Sequence, residues 1–202
     1  MSGTAAENRM FVFPGQGSQG PGMGAEFMSH QATAQIFEEA NAILGYDLAK
    51  LMREGTQEEL RNTAVTQPAM FVAGYAAWEY FHQHSGKALP ELAKYVAGHS
   101  LGEFTALTVA GVFKFSTGLK LVKTRADAMA ELTKDGGGAM AAIIGIPLAQ
   151  VETYCHSTGS YIANDNAEGQ AVISGDMAAV DEASNIAAME SPKKIMRLDV
   201  AG

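Results

Sequence analysis

Gly98-His99-Ser100-Leu101-Gly102 spells G-x-S-x-G, with the apolar residues Tyr95-Val96-Ala97 before it and a helical pattern reaching about residue 110 after it. A nucleophilic serine on a sharp strand-to-helix turn needs that context. The bend drives the serine into a strained backbone conformation with Oγ projecting, and the flanking glycines remove side chains that would clash. The following helix aims its N-terminus at the site, and the Leu101 N–H can donate to a developing oxyanion. A second donor is available from the Gln16 N–H in Gly15-Gln16-Gly17-Ser18-Gln19-Gly20, a loop that follows the apolar run Met10-Phe11-Val12-Phe13. Ser100 is therefore the candidate nucleophile, with Gln16 and Leu101 as candidate oxyanion donors.

The same loop matches G-x-G-x-x-G letter for letter. A dinucleotide site would need a helix opening inside the motif and an acid ending a second strand about 20 residues on. Here Pro21-Gly22-Met23-Gly24 delays the helix, and Glu38 and Glu39 fall in mid-helix. No Lys-Ser or Lys-Thr pair follows, so a Walker loop is excluded as well. An elbow serine also needs a base, ordinarily a histidine held by hydrogen bonding. The sequence has five: His30, His82, His84, His99 and His156. None follows a strand as a triad histidine should, and the His99 side chain is expected to point away from Ser100 across the strand. A plain serine hydrolase using one of them is disfavoured.

Gly118, Leu121, Arg125, Ala128 and Leu132 recur in steps of three and four along a helix expected over 116–132. The spacing predicts that Arg125 lies on an apolar face. A guanidinium there keeps its charge and pairs best with a planar anion. It either forms a structural ion pair, reaches solvent along its stem, or faces the Ser100 pocket and favours a negatively charged acyl group.

The elements that must position these residues follow from pattern. Strands are expected at 10–13 and 95–97, and a helix over 31–44 stops at Gly45. Thr56-Gln57-Glu58-Glu59 has capping-box spacing. Pro68 is expected at the first position of an apolar helix reaching about residue 81. Beyond the run Asp135-Gly136-Gly137-Gly138 the order becomes β-α-β-β-α-β, that of a ferredoxin-like unit.

Composition narrows the function classes. The 202 residues carry 14 Lys+Arg against 22 Asp+Glu, a net charge of −8, with 47% hydrophobic and 18% charged residues. This is the balance of an ordinary globule, and its acidity argues against a general nucleic-acid or anionic-membrane binder. A single cysteine, Cys155, excludes a disulfide framework and any multi-cysteine metal site and suits a reducing compartment. No targeting signal or membrane span is visible, so a cytoplasmic location is expected. No metal site is expected.

Phe11-Val12-Phe13-Pro14-Gly15-Gln16-Gly17-Ser18-Gln19 and Gly98-His99-Ser100-Leu101-Gly102-Glu103 together resemble the malonyl-CoA:acyl carrier protein transacylases. Thr66-Gln67-Pro68-Ala69 and residues 164–175, ending Val172-Ile173-Ser174-Gly175, are supporting matches. The resemblance spans nearly the whole chain in family order. It implies an α/β fold in which an incomplete α/β-hydrolase-like large subdomain, residues 1–135, carries an inserted ferredoxin-like small subdomain, residues 136–200. It also implies that Ser100 takes malonyl from malonyl-CoA and passes it to the phosphopantetheine thiol of acyl carrier protein. Gln16 and Leu101 then match the backbone oxyanion donors, and Arg125 matches the clamp on the malonyl carboxylate. Asn164 and Asn166 match positions near the active site. Leu101 resembles malonyl-selective more than branched-substrate members. No cofactor is implied, phosphopantetheine being carried by the partner.

The catalytic histidine of that family follows a sequence like Leu198-Asp199-Val200-Ala201-Gly202, where this sequence stops. The resemblance thus implies a chain truncated before its base, impaired alone and prone to self-association or in need of a further segment. Two alternatives compete: a catalytically silent fragment or binding remnant, and an acyltransferase domain fragment of a polyketide or fatty-acid synthase. With Met1 about ten residues before the first strand, a stand-alone enzyme is favoured. Docking an acidic carrier would need a local basic face, for which Lys120, Lys123, Lys193, Lys194 and Arg197 are the candidates.

Overall fold

The computed structural model describes residues 9–133 and 138–198. Two compact units divide between Asp127 and Ala128. Residues 135–137 of the glycine run, and Asp199 and Val200 at the end of the expected small subdomain, lie outside the described residues.

In the first unit, β1 (Met10–Phe13) and β2 (Tyr95–Gly98) form a two-stranded parallel sheet with Phe13 opposite Gly98. Between them run α1 (Ala25–Met28), α2 (Ala34–Leu44), α3 (Leu48–Glu54), α4 (Gln57–Arg61), α5 (Thr63–Ser85) and α6 (Leu89–Leu92). After β2 come α7 (Gly102–Val109) and α8 (Phe115–Thr133). Helix α2 ends as its sequence predicts, with Gly45 in the left-handed region. Both halves of the expected capping box at Thr56 and Glu59 are made. Helix α3 was not expected. The Asp47 carboxylate accepts from the Lys50 N–H and opens it. Phe71, Leu48, Met52, Leu119 and Val122 are fully buried where these helices meet.

Pro68 does not open its helix: α5 begins at Thr63, capped by Asn62, and Pro68 lies inside it. A proline there has no N–H, so the carbonyl four residues earlier, on Ala64, loses its helical partner. The Tyr46 hydroxyl donates to that carbonyl at 3.3 Å. The side chain that makes Pro68 tolerable is thus 18 residues away from Ala64, which no local pattern reports.

The second unit holds β3 (Ala139–Ile144), α9 (Leu148–Thr158), β4 (Tyr161–Ala167), β5 (Gln170–Gly175), α10 (Met177–Met189) and β6 (Lys194–Leu198). All strand pairs are antiparallel, in the order β4-β5-β3-β6. Ile143 and Ile173 from the strands bury against Val151 of α9 and Val180 and Ala183 of α10. Among the described residues no helix is long and apolar enough to cross a membrane. No group of three or more His, Cys, Asp or Glu side chains among them could hold a metal ion.

Burial, with the Asp127 charge second, pushes the Tyr46 phenol up to about 12 from its ordinary 10.0. Between those values the unfolded chain has lost this proton and the folded chain keeps it, so stability falls as pH rises through that window. Tyr46→Phe is expected to cost about 1 kcal/mol at neutral pH and to flatten part of the alkaline loss. Urea denaturation across pH measures both.

Candidate active site

The turn after β2 is built where side chains have no room. A Cβ on Gly98 would lie 2.0 Å from the Gly102 carbonyl carbon, and one on Gly102 would lie 2.1 Å from the Phe13 carbonyl oxygen. Such gaps are closed to any other residue, so the end of β1, the end of β2 and the first turn of α7 come together only with glycine at both places. The His99 N–H donates to the Phe13 carbonyl at 3.0 Å, carrying the β1–β2 ladder one residue further. The Gly102 N–H then donates to the His99 carbonyl and the Glu103 N–H to the Ser100 carbonyl, starting α7. Between these two patterns Ser100 is held at φ 53°, a left-handed conformation that costs a non-glycine residue about 1–2 kcal/mol. Ser100 is exposed, while the Leu101 side chain is 1% exposed and pins the turn to the core. The Leu101 N–H belongs to the helix N-terminus, where donors have no partner within the helix.

The glycine-rich loop reaches this turn. A Cβ on Gly15 would sit 2.7 Å from the His99 carbonyl oxygen, so the loop backbone rests on the elbow and Gln16 follows one residue later. The half-buried Gln16 side chain donates to Thr63 Oγ1 at 3.5 Å.

Arg125 comes to the same place from α8. One guanidinium nitrogen, Nη2, donates to Ser100 Oγ at 3.0 Å, and Nη1 donates to Gln67 Oε1 at 2.5 Å. Burial lowers the Arg125 pKa and the Glu103 carboxylate opposes that, but a guanidinium stays protonated at neutral pH. The apolar face expected from Gly118, Leu121, Arg125, Ala128 and Leu132 is not the one that α8 buries. Phe115, Leu119, Val122 and Ala126 are buried, whereas Leu121 is 40% exposed. At 3.6 residues per turn the buried arc is centred away from Leu121, and half-buried Arg125 borders it. That border position lets the stem pack while the head reaches Ser100. The Leu132 side chain lies outside the described ones. Helix α8 also opens at Phe115, one residue before its expected start.

The histidines are mostly engaged elsewhere. His30 and His84 contact each other and Tyr80, and His82 stacks on Trp78. His99 is exposed, and its Nδ1 lies on the side of Gly15. His156 is exposed on α9 of the second unit. Asn164 and Asn166 lie on β4 of that unit, the first paired with Val172 beside an irregularity in the ladder. Ser100, Leu101, Gln16 and Arg125 thus belong to the first unit, and the two asparagines to the second. Gln67 was part of a matching motif but had no role assigned to it from sequence. An apolar recess of about 400 Å³ beside β1, lined by Phe11, Phe13, Met70, Trp78 and Phe81, offers no acid, base or guanidinium among its lining side chains.

A strained serine on a strand-to-helix turn, with helix N-terminal donors beside it and an arginine on its Oγ, defines a site suited to acyl transfer. The chain belongs to the acyl transferase domain family, whose profile matches residues 10–201. It is 42% identical over 196 residues to the malonyl CoA-acyl carrier protein transacylase of Escherichia coli O157:H7, covering 95% of this chain and 62% of that one. The malonyl CoA-acyl carrier protein transacylase structure from Coxiella burnetii superposes with a TM-score of 0.88 at 40% identity, covering 97% of this chain and 62% of that one. A malonyl-transacylase solved in complex with its type II PKS acyl-carrier protein gives a TM-score of 0.88 at 37% identity over 97% of this chain and 63% of that one. The chain therefore spans less than two thirds of the length of these relatives.

The strain at Ser100 has a direct test. Ser100→Gly is expected to be more stable than Ser100→Ala by about 0.5–1 kcal/mol, the left-handed strain removed less the extra entropy of unfolded glycine. Urea denaturation of the two variants measures it. A glycine variant less stable than the alanine one would show that the turn is unstrained.

Proposed function

We propose that this chain carries the acyl-binding half of a malonyl-CoA:acyl carrier protein transacylase, with Ser100 as nucleophile. The observation that carries the reading is the guanidinium of Arg125, 3.0 Å from the oxygen of a serine held at φ 53°. Ser100 Oγ gives its proton to an acceptor as it attacks the thioester carbonyl, the charge on the carbonyl oxygen is met by the Leu101 and Gln16 N–H groups, and the C–S bond then breaks, coenzyme A leaving as the thiol with that proton. The phosphopantetheine thiol of the carrier then attacks the acyl-serine by the same route, and Ser100 recovers its proton. Arg125 takes the malonyl carboxylate in a bidentate pair, so an acetyl group leaves a partly buried cation without its partner.

The proton acceptor implied by the family is a histidine beyond β6, a place that none of the five histidines here occupies. Turnover by residues 1–202 is accordingly proposed to be slow, so the diagnostic step is acylation. The first unit is read as part of an α/β-hydrolase-like subdomain and the second as a ferredoxin-like insertion. The β4-β5-β3-β6 order supports the second assignment. A cytoplasmic enzyme is the setting this reading implies. A carrier serving polyketide synthesis is the second reading, favoured by the similar transacylase solved with a type II PKS carrier.

Incubation with radiolabelled malonyl-CoA and then with carrier protein tests the reading. Label is expected on the chain, absent in Ser100→Ala, with slow transfer to the carrier. Arg125→Ala is expected to lower the malonyl-to-acetyl preference about 10- to 100-fold, the equivalent of a hydrogen bond to a charged group. An unchanged preference would refute the clamp.

A further inference from the structure

Gln67 lies in the second turn of α5 with 0% of its surface exposed. A buried amide is costly unless hydrogen-bonded, and this one has Oε1 2.5 Å from Arg125 Nη1. The other terminal nitrogen of the same guanidinium is the one on Ser100 Oγ. Because the guanidinium is planar and rigid, holding one nitrogen restricts where the second can point. The backbone beneath Gln67 is itself fixed. Thr66 Oγ1 donates to the carbonyls of Leu60 and Asn62, and the Tyr46 hydroxyl holds Ala64.

The residue type matters as much as the place. A glutamate here would neutralise Arg125 and close an internal ion pair. The glutamine carbonyl holds the cation with one hydrogen bond and leaves its charge for an incoming anion. We propose that Gln67 is a positioning residue that sets acyl selectivity, aiming the Arg125 guanidinium at the Ser100 oxygen so that acyl groups ending in a carboxylate are preferred. This rests on the transacylase reading above. It adds that the preference depends on a buried side chain that is neither nucleophile nor anion clamp.

The test uses the full chain carrying Ser100→Ala, so that binding is read without acylation, with malonyl-CoA and acetyl-CoA titrated by calorimetry. The parent is expected to prefer malonyl-CoA. Gln67→Leu is expected to weaken malonyl-CoA about tenfold, the worth of one charge-assisted hydrogen bond, and to leave acetyl-CoA within about twofold. Gln67→Glu is expected to weaken malonyl-CoA further, because the carboxylate competes for the cation. Equal weakening of both ligands in the Gln67 variants would mean a merely structural role and overturn the proposal. If Arg125→Ala removes the preference while both Gln67 variants keep it, the positioning role falls and the clamp stands. If Arg125→Ala leaves the preference unchanged, the clamp and the positioning role fall together. Should the Gln67 variants fail to fold, nitrogen NMR of the Ser100→Ala chain decides. Distinct Arg125 Nη resonances, assigned by their loss in Arg125→Ala, are expected from a guanidinium held by Gln67, and a single averaged resonance overturns the proposal.

Discussion

The close approach of three backbone segments around Gly98 and Gly102 governs the rest of the site. With 2.1 Å between a hypothetical Gly102 Cβ and the Phe13 carbonyl oxygen, α7 can start only where β1 ends. The ladder that joins β1 to β2 runs directly into the hydrogen bonds that open the helix. Ser100 is the residue left between two regular patterns, and its left-handed φ follows from that confinement. The strain is sustained because Leu101, next in the chain, is 1% exposed and anchored in the core. Structure and chemistry are coupled here through geometry. The same crowding that forbids side chains at 98 and 102 presents the serine oxygen to solvent.

A second constraint acts across the first. Arg125 reaches Ser100 because α8 buries Leu119, Val122 and Ala126 and leaves the arginine at the margin of that arc. Partial burial raises the cost of an unmatched charge, and Gln67, the buried acceptor on its Nη1, is neutral. The site therefore keeps a positive charge beside the Ser100 hydroxyl, an arrangement suited to an acyl group with a distal carboxylate. Glu103, in the first turn of α7, acts on that charge electrostatically and opposes the lowering of the Arg125 pKa by burial.

The features legible in the sequence were those written in adjacent residues. The G-x-S-x-G string, the strand before Pro14, the Thr56–Glu59 box and the stop at Gly45 each carry their own local geometry, and each is found where expected. The element order of the second unit was legible for the same reason, since period and turn residues are local signals. Pro68 was misplaced because the hydroxyl that supports the carbonyl it orphans belongs to Tyr46, on another segment. The face of α8 was misplaced because Leu121 and Leu119 are equally apolar, and only packing against Phe71 and its neighbours chooses between them. Gln67 and Arg125 are 58 residues apart; nothing in the spacing of either announces the other. For Asn164 and Asn166 the sequence offered a resemblance and the structure offers a strand.

The most direct measurement of the central claim is a crystal structure of the Ser100→Ala chain with malonyl-CoA. The account predicts the malonyl carboxylate paired with both terminal nitrogens of Arg125, the Gln67 bond retained, and the thioester carbonyl oxygen within hydrogen-bond distance of the Leu101 N–H. A malonyl group bound with its carboxylate away from Arg125, or a thioester that does not approach the position of Ser100 Oγ, would contradict it.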